Sequence, residues 1–516
     1  MLGAQNGTAT EQAAGVSAVA APLGSRYRRR EPERTLLHTT VRAHWKTFLA
    51  EVEERGEGGA SLPRFVVGEF ERYLACGILA HGFARVRCTA CGDELLVALS
   101  CKGRGFCPSC TTRRMHDTAA HLVDRVIPQV PVRQWVLSLP RWARFLLARD
   151  PELITRTLDV ALRAIFAHQR LRARRAGALA PRVGAVTFVQ RFGGALNLNV
   201  HFHCAIPDGV FVRENSSVRF VELAPPSDDD VMAVPRRAVA RLERLLRPRL
   251  MAAQADARPM DALGAAQAEA MDVLGTSPLD TGRAKKRAAY LQGFSLHAAV
   301  HLHTNDREGL AHLCGYGARP PFSQERLSEL PDGRLSYRLK RPLGDGQTLL
   351  LQPTELLRRL ATLVPPPRAH LVRYHGVFAP ASHWRSQVIP PLPEKTPFAS
   401  APSCASPCMG SEDPAPAATE VPPPQALAEV RRPADPSRIP WAELMMRVFR
   451  EDVLACPCGG RRVVLAYLTQ PGPVKAILDH LGLPSTGPPL APARFIAGPA
   501  EATWQDDVPV LQRSLR

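Results

Sequence analysis

The chain has 516 residues, of which 45% are hydrophobic, so it can form a large core and two to four domains rather than a disordered tail. Its net charge of +18 requires an anionic partner. Nucleic acid fits best, because Lys and Arg side chains that neutralise phosphates release counterions, and an acidic membrane surface is the weaker second candidate. No run approaches 18 consecutive apolar residues, and the first 25 residues lack the early basic residues of a secretory signal. We therefore expect a cytoplasmic protein that does not enter a membrane.

The N-terminal part of the chain changes character twice. Residues 1–35 end in "SRYRRREPERT" and are predicted to form a basic flexible arm. Two stretches with helical apolar periodicity follow, from Leu36 to Leu79. Together with the cysteine-rich segment after them, they define a predicted N-terminal domain over residues 36–120.

Six of the 12 cysteines lie between Cys76 and Cys110. Four of them form two Cys-x-x-Cys pairs, separated by a 15-residue spacer: Cys88, Cys91, Cys107 and Cys110. Two such pairs in a reducing compartment are typical of a closed tetrahedral zinc site with a structural role. Cys76 and Cys101 are left over as spare thiols or a partial second site, and Cys101 is an alternative to one of the four. The arginines around the segment favour nucleic-acid binding over catalysis.

The rest of the chain divides into three predicted parts. Residues 121–385 alternate helical and strand patterns, which indicates an α+β domain. Residues 386–438 form a Pro-rich linker, with 13 prolines from Pro390 to Pro436. Residues 439–516 form a small C-terminal module and tail, which contains "CPCGG". Its Cys456 and Cys458 are too closely spaced for a usual zinc knuckle, so we expect two unligated thiols.

Two histidine pairs stand out in the α+β domain. In "NLNVHFHCAI", His201 and His203 fall in an alternating run, so both imidazoles should project from one face of a strand and could bind one metal ion. The segment "HAAVHLHTND" repeats the spacing at His301 and His303. Periodicity alone does not choose between the two pairs.

Four segments, read together and in order, resemble one protein family: "CTACG…SCKGRGFCPSC", "GALNLNVHFHCAIPDGVF", "LCGYGARPPFSQERLS" and "RYHGVFAP". They resemble the rolling-circle transposases of bacterial insertion sequences, the IS91-like and common-region group. The resemblance covers roughly Tyr27 to Arg385. It implies an HUH-type antiparallel sheet with flanking helices, preceded by a small zinc-binding module and followed by the linker and the C-terminal module.

The resemblance also implies a reaction and its partners. HUH enzymes are named for a His-hydrophobic-His strand, here His201, Phe202 and His203. The two imidazoles would hold a divalent ion, Mg²⁺ or Mn²⁺, against a phosphate of single-stranded DNA at the element ends. A tyrosine would then attack, leaving a 5′-phosphotyrosine and a free 3′-OH, without a nucleotide cofactor. The third metal ligand is open, with Asp306 and Glu308 as guesses.

Seven tyrosines compete for the role of nucleophile. Tyr337 alternates with Leu335 and Leu339, which predicts a core position on a strand. Of the tyrosines placed between the cysteine cluster and the linker, Tyr290, Tyr316 and Tyr374 remain. The resemblance selects Tyr316, because it lies in "YGARPP". This tyrosine closes a helix that Asn305 is predicted to cap and that Pro320 stops.

The sequence departs from the family pattern in two places. Paired-tyrosine members carry a second tyrosine four residues earlier, where this chain has His312. A chain with one tyrosine would need a partner subunit, as in a homodimer, or would have to use the liberated 3′-OH to regenerate the tyrosine. "CPCGG" is also one residue shorter than the family's Cys-Pro-x-Cys-Gly-Gly. The alternative functions are a plasmid replication initiator or relaxase with the same chemistry, or an inactive zinc-containing DNA-binding protein.

Overall fold

The computed structural model of the protein describes residues 29–55, 61–255, 261–272, 286–343, 346–391, 441–449 and 452–494. Most of the predicted basic arm and of the Pro-rich linker, with Cys404 and Cys408, lies outside the described residues.

The described residues form twelve α-helices, and none of these is both long and apolar enough to cross a bilayer. The helices are α1 (Leu36–Arg55), α2 (Arg64–Leu74), α3 (Pro108–Arg125), α4 (Arg141–Arg149), α5 (Pro151–Arg175), α6 (Asp228–Ala255), α7 (Ala262–Asp272), α8 (Arg307–Gly317), α9 (Pro353–Leu363), α10 (Arg385–Val388), α11 (Trp441–Phe449) and α12 (Pro471–His480).

The same residues form fifteen β-strands, which pair in four sheets. The strands are β1 (Phe83–Cys88), β2 (Glu94–Ala98), β3 (Val132–Ser138), β4 (Gly184–Phe192), β5 (Leu198–Pro207), β6 (Gly209–Glu214), β7 (Ser217–Glu222), β8 (Ala288–Leu291), β9 (Phe294–His297), β10 (His301–Leu302), β11 (Leu327–Glu329), β12 (Leu335–Leu343), β13 (Gly346–Leu351), β14 (Val372–Gly376) and β15 (Arg462–Leu468).

The largest sheet has seven strands in the order β14-β4-β5-β3-β9-β8, with β10 also paired to β3. Every pairing in it is antiparallel. Helices cover both of its faces, so the predicted α+β class with antiparallel sheets and flanking helices is confirmed.

The central strand β5 shows why the two faces of this sheet differ. Successive side chains of a strand point to opposite faces. Alternate residues from Leu198 to Ile206 enter the main core, where they pack with α4, α5 and α6. The intervening positions, including His201, His203 and Ala205, face the other side, where Ala205 packs with residues of α3 and α8. The predicted strand therefore carries both histidines on the face covered by α3 and α8.

A second core joins the N-terminal helices to a later part of the chain. Residues of α1 and α2 pack with β12 and α9, and Tyr337 of β12 is only 2% exposed. The predicted core position of Tyr337 is confirmed. Helix α3 continues to Arg125, across residue 120 where the sequence places a domain boundary.

The C-terminal module is built into the N-terminal part of the chain. Strand β15 pairs antiparallel with β1 and completes a three-stranded sheet in the order β15-β1-β2. Val474 and Leu478 of α12 are buried against Leu79 and Phe83. The module predicted for residues 439–516 therefore contributes a strand and a helix to the predicted N-terminal domain.

Candidate active site and cysteine clusters

His201 and His203 of β5 lie side by side, with ring centroids 4.9 Å apart. The Nδ1 atom of His201 is 2.9 Å from the carbonyl oxygen of Asn199, to which it donates. That hydrogen bond fixes the tautomer and leaves the Nε2 lone pair of His201 unprotonated, as in a metal-binding histidine.

His203 is oriented by a neighbouring strand. The side-chain amide of Gln134, on β3, lies 3.2 Å from its Nδ1 atom. Its Nε2 atom is buried and has no hydrogen-bond partner among the described residues. Because the Gln134 amide nitrogen donates to Nδ1, the proton of the neutral ring lies on Nε2. A metal ion at Nε2 requires the Gln134 amide to turn over, so that its oxygen accepts the proton of Nδ1.

Both imidazoles are held in the neutral form that metal binding requires. Burial lowers the pKa of His201 to about 4 and the pKa of His203 to about 3. The two side chains are therefore uncharged at neutral pH, and each ring has one nitrogen with a free lone pair. Their chemistry fits a divalent ion.

Tyr316 lies against this pair. It is in the last turn of α8, and its ring meets the ring of His203 edge to face, with centroids 5.5 Å apart. The side chain of Tyr316 is 45% exposed, so a substrate can reach its hydroxyl group from solvent. The structure thus brings together His201, His203 and Tyr316, which come from two segments more than 110 residues apart.

The end of α8 is attached to β4 at two points. Gln190 donates from Nε2 to two carbonyl oxygens at the C-terminal end of the helix, those of Tyr316 (2.7 Å) and Gly317 (3.0 Å). A Cβ atom at Gly317 would lie 2.5 Å from the Phe188 ring, so only glycine allows this close approach. Since Phe188 and Gln190 pair with His203 and His201, the same strand positions both the helix and the histidines.

A guanidinium group covers the tyrosine. The Cζ atom of Arg319 lies 4.6 Å from the Tyr316 ring centroid and 4.9 Å from that of Phe192, within cation–π range. Burial lowers the pKa of Arg319, but arginine remains charged at neutral pH. Arg319 therefore supplies positive charge next to the tyrosine.

The two other candidate tyrosines lie on the same face of the sheet but farther away. Tyr290 is on β8, three strands from β5 or about 14 Å at ordinary strand spacing. Its hydroxyl group is hydrogen-bonded to His297, with 3.4 Å between Oη and Nε2. Tyr374 is on β14, two strands from β5 or about 10 Å, under the guanidinium of Arg385. Of these three tyrosines, Tyr316 is the one whose ring contacts the histidine pair.

The guessed third metal ligands do not join the site. Asp306 caps the start of α8 by accepting from the Gly309 amide (2.8 Å), and Glu308 lies in the same first turn. Tyr316 is at the other end of the helix, about 12 Å away along its axis. In the described part of the chain, no carboxylate, thiol or third imidazole completes a ligand cluster with the two histidines. The predicted Asn305 cap is also wrong, because Asn305 instead accepts from Gln129.

The second histidine pair has different surroundings. The rings of His301 and His303 are also 4.9 Å apart, but Nε2 of His301 lies 3.4 Å from Asp208. Asp208 is buried in a two-point ion pair with Arg133. His301 therefore borders a buried structural ion pair, away from the tyrosine.

Eight of the ten described cysteines form two groups of four, and the predicted single site is wrong in its membership. The first group brings the sulfurs within 4.8 Å of one another and comprises Cys76, Cys101, Cys107 and Cys110. Its backbone surroundings suit thiolates: the amide of Cys101 donates to the Cys76 sulfur, and that of Gly103 donates to the Cys101 sulfur. Cys110 lies in the first turn of α3, where a helix N-terminus favours a thiolate.

The second group takes the other predicted pair, Cys88 and Cys91, and joins it to Cys456 and Cys458. The sulfurs of Cys88 and Cys458 are 3.6 Å apart, and those of Cys91 and Cys456 are 3.7 Å apart. The prediction that Cys456 and Cys458 stand apart from other thiols is therefore wrong. Each group has the four sulfurs, and no open position, of a structural zinc site.

Family comparisons agree with this arrangement. Residues 184–386, which include the histidines and Tyr316, match a family model described as "Putative transposase". Residues 40–139 match the "Transposase zinc-binding domain" of IS91 type. The chain belongs to the IS91-like transposases. No curated protein and no solved structure matches it at a significant level.

The transposase therefore acts on DNA and carries a zinc-binding domain at its N-terminal side. All six cysteines from Cys76 to Cys110 fall within the matched zinc-binding segment, whereas Cys456 and Cys458 lie far outside it. Zinc fits the closed tetrathiolate groups better than a metal that prefers oxygen ligands.

Sequence reasoning missed three side chains at the transposase site: Gln134, Gln190 and Arg319. A signal existed for the two glutamines, because each is a polar residue in an otherwise apolar strand pattern, "RQWVLSLP" and "GAVTFVQRFG". Arg319 lies three residues after Tyr316 in the segment already singled out. The segment "CPCGG" drew attention to Cys456 and Cys458, but their partners are 365 to 370 residues away, so local spacing could not pair them.

Proposed function

We propose that this transposase nicks and rejoins single-stranded DNA at the ends of its element, with Tyr316 as the nucleophile. The observation that supports this most strongly is the contact between the rings of Tyr316 and His203. It sets a half-exposed hydroxyl-bearing side chain next to two neutral imidazoles, which is the combination that a metal-assisted tyrosine nuclease needs.

The reaction exchanges one phosphodiester bond for another. The Oη atom of Tyr316 attacks the scissile phosphorus and loses its proton to solvent. The bond from phosphorus to the 3′-oxygen breaks, and that oxygen takes up a proton from water, leaving a 5′-phosphotyrosine and a free 3′-OH. Because the new bond stores the energy of the old one, rejoining is the reverse attack by a 3′-OH.

Each side chain at the site has a role in this proposal. The Nε2 atoms of His201 and His203 would hold Mg²⁺ or Mn²⁺, which when bound polarises the phosphoryl oxygens. Arg319 attracts the negative charge that develops at the phenolic oxygen and the phosphate. Gln190 and Gly317 fix the end of α8, so that Tyr316 is aligned with the histidines before DNA binds.

In the same proposal, Cys76, Cys101, Cys107 and Cys110 hold the structural zinc of the matched domain. The loop between Cys101 and Cys107 supports this role, because the Gly105 amide donates to buried Glu69 (2.6 Å). Arg114 is exposed next to the loop and donates to the Lys102 carbonyl oxygen (3.1 Å), so a folded cluster presents a basic group to DNA.

One tyrosine per active site limits what a single chain can hold. His312 occupies the position one helical turn before Tyr316 and is exposed on the same side of α8. A chain can then hold one 5′ end at a time, and the transfer of two ends requires a second subunit or a second round of attack on Tyr316 by a 3′-OH.

A covalent-adduct assay tests the proposed chemistry. The purified protein is incubated with Mg²⁺ and a labelled single-stranded oligonucleotide carrying the element end, and is then denatured. We expect label to remain bound to the protein, and peptide mass spectrometry to locate it on Tyr316. DNA binding without any adduct would instead support the inactive DNA-binding protein.

A further inference from the structure

We infer that Cys88, Cys91, Cys456 and Cys458 form a second structural zinc site, which joins the C-terminal module to the N-terminal zinc-binding domain. This inference is independent of the proposed nicking chemistry. The matched zinc-binding segment ends at residue 139, so it does not include Cys456 and Cys458.

The sulfur positions fit one zinc ion. A tetrahedral zinc ion at about 2.3 Å from each sulfur places neighbouring sulfurs about 3.8 Å apart. The two closest contacts between the pairs are 3.6 Å and 3.7 Å, and all four sulfurs lie within 4.8 Å of one another. A disulfide needs about 2.05 Å between sulfurs, so these distances favour a metal over a covalent bond.

The two pairs come from turns that resemble each other. In each turn a glycine with positive φ follows the second cysteine: Gly92 (φ 75°) and Gly459 (φ 85°). The Gly92 amide donates to the Cys88 carbonyl oxygen, four residues back, and the Gly459 amide donates to that of Cys456, three residues back. The tighter C-terminal turn accommodates the residue missing from "CPCGG" and still directs both sulfurs to the cluster.

The second glycine of this motif allows the turns to approach. A Cβ atom at Gly460 would lie 2.7 Å from the Ala90 side chain and 2.9 Å from the Cys88 sulfur. Across the same gap, Thr89 donates from its hydroxyl group and its amide to the Arg461 carbonyl oxygen, at 3.1 Å and 2.9 Å. Each residue of "CPCGG" except the proline therefore has a specific place in a two-turn site.

A buried arginine links the two turns next to the four cysteines. Arg462, the residue of β15 in register with Cys88, is 4% exposed. Its guanidinium donates to the Ala455 carbonyl oxygen (2.6 Å) and to Asp93 (3.0 Å), so it spans both turns. Its charge is paired with that of Asp93, so its contribution is to hold the two turns together.

Counting zinc in single-residue variants of the full chain tests the inference. We expect two zinc ions per chain in the unaltered protein by native mass spectrometry. Cys458→Ser should lower the count to one, because Cys458 is exposed and its loss should not unfold the chain. Cys101→Ser should remove the other ion, which shows that the two sites are separate.

Thr89→Ala is the matched control, because it removes a side-chain hydrogen bond between the same turns but keeps all four thiols. It should retain two zinc ions. A second measurement uses alkylation of Cys91, which is exposed and would be protected only by metal binding. Cys458→Ser should make Cys91 at least about tenfold more reactive than in the control, although the substitution is more than 360 residues away in sequence.

Three results would overturn the inference. Cys458→Ser could retain two zinc ions, or the unaltered protein could bind one ion that Cys101→Ser removes. The third is a mass and peptide map showing a disulfide between the two turns in protein purified under reducing conditions.

Discussion

The side chain of Gln190 donates a hydrogen bond to the main-chain carbonyl oxygen of Tyr316, with 2.7 Å between the two atoms. Gln190 is paired on the sheet with His201, the proposed metal ligand. The same residue therefore contacts both the strand of the metal ligand and the main chain of Tyr316, the proposed nucleophile.

Gln190→Ala should therefore slow adduct formation more than it weakens DNA binding. It leaves two carbonyl oxygens at the end of α8 without their donor, at a cost of about 1–3 kcal/mol in stability. Loss of alignment should lower the adduct rate by about 100-fold. Single-turnover rates at saturating DNA, with thermal unfolding, measure both effects.

Gln169→Ala is the control for this variant. Gln169 is another buried glutamine that donates to a carbonyl oxygen, that of Pro207, at 2.9 Å. It should lose similar stability and keep its adduct rate. Equal rates for Gln190→Ala and Gln169→Ala would show that Gln190 has only a structural role.

Tyr316→Phe should remove all covalent adduct and retain DNA binding. The phenyl ring can keep its contacts with His203 and Arg319, and only the attacking oxygen is lost. Tyr290→Phe and Tyr374→Phe are matched controls and should form adduct normally. An adduct peptide that contains Tyr290 or Tyr374, or two adducts on one chain, would contradict the assignment.

The two histidine pairs should respond differently to substitution. His201→Ala or His203→Ala should abolish metal-dependent nicking and leave DNA binding largely intact, because the ion acts on the phosphate rather than on recognition. His301→Ala should change mainly the unfolding temperature, since His301 borders the buried Arg133–Asp208 pair. Nicking assays with a Mn²⁺ titration distinguish the two pairs. If a folded His301→Ala protein lost nicking while the His201→Ala protein kept it, the assignment of the metal site to His201 and His203 would be wrong.

Cys107→Ser should remove zinc from the first cysteine group and destabilise the domain around it. Cys107 is the N-cap residue of α3 and is 2% exposed, and its sulfur lies 3.7 Å from that of Cys76. A structural zinc site contributes several kcal/mol to folding, so DNA binding should fall together with zinc content. Zinc analysis with a DNA-binding titration is the measurement, and full zinc and full affinity in this variant would contradict the structural role.

Binding to single-stranded DNA should depend strongly on salt. The chain carries a net charge of +18, and each phosphate contact that releases a counterion steepens the salt dependence. For six to ten contacts with a single strand we expect an affinity loss of about 300-fold to about 10⁴-fold between 50 and 200 mM salt. Fluorescence anisotropy across that range measures the slope, and a flat response would exclude an electrostatic binding mode.

The local parts of the site were predictable from the sequence. Strand alternation places His201 and His203 on one face, and Pro320 correctly predicts that Tyr316 ends a helix. Gln190 could not be assigned, because its role depends on which strand pairs with β5. The residue that caps α8 is Asp306, one position after the predicted Asn305. Asn and Asp are both good caps, and here the Asn305 side chain accepts from Gln129 instead.

The cysteines illustrate the same limit more strongly. Spacing predicted that Cys88 and Cys91 would share a metal with Cys107 and Cys110, because close pairs in sequence are the usual signal of a zinc site. In the fold, strand β15 reaches β1 and supplies a nearer pair, while Cys76 and Cys101 complete the other group. Ligand identity followed sheet pairing, which local spacing does not encode.

The pairing of β15 with β1 means that the N-terminal sheet cannot be completed until almost the whole chain has been synthesised. During synthesis β1 leaves the ribosome roughly 20 to 70 s before its partner strand, given about 370 residues between them. Throughout that interval β1 has an unpaired edge, and Cys88 and Cys91 lack half of their ligand set. A copy of the gene with a premature stop codon between residues 391 and 441 would therefore yield a chain that keeps the proposed reaction centre and has an open, aggregation-prone edge at its N-terminal sheet.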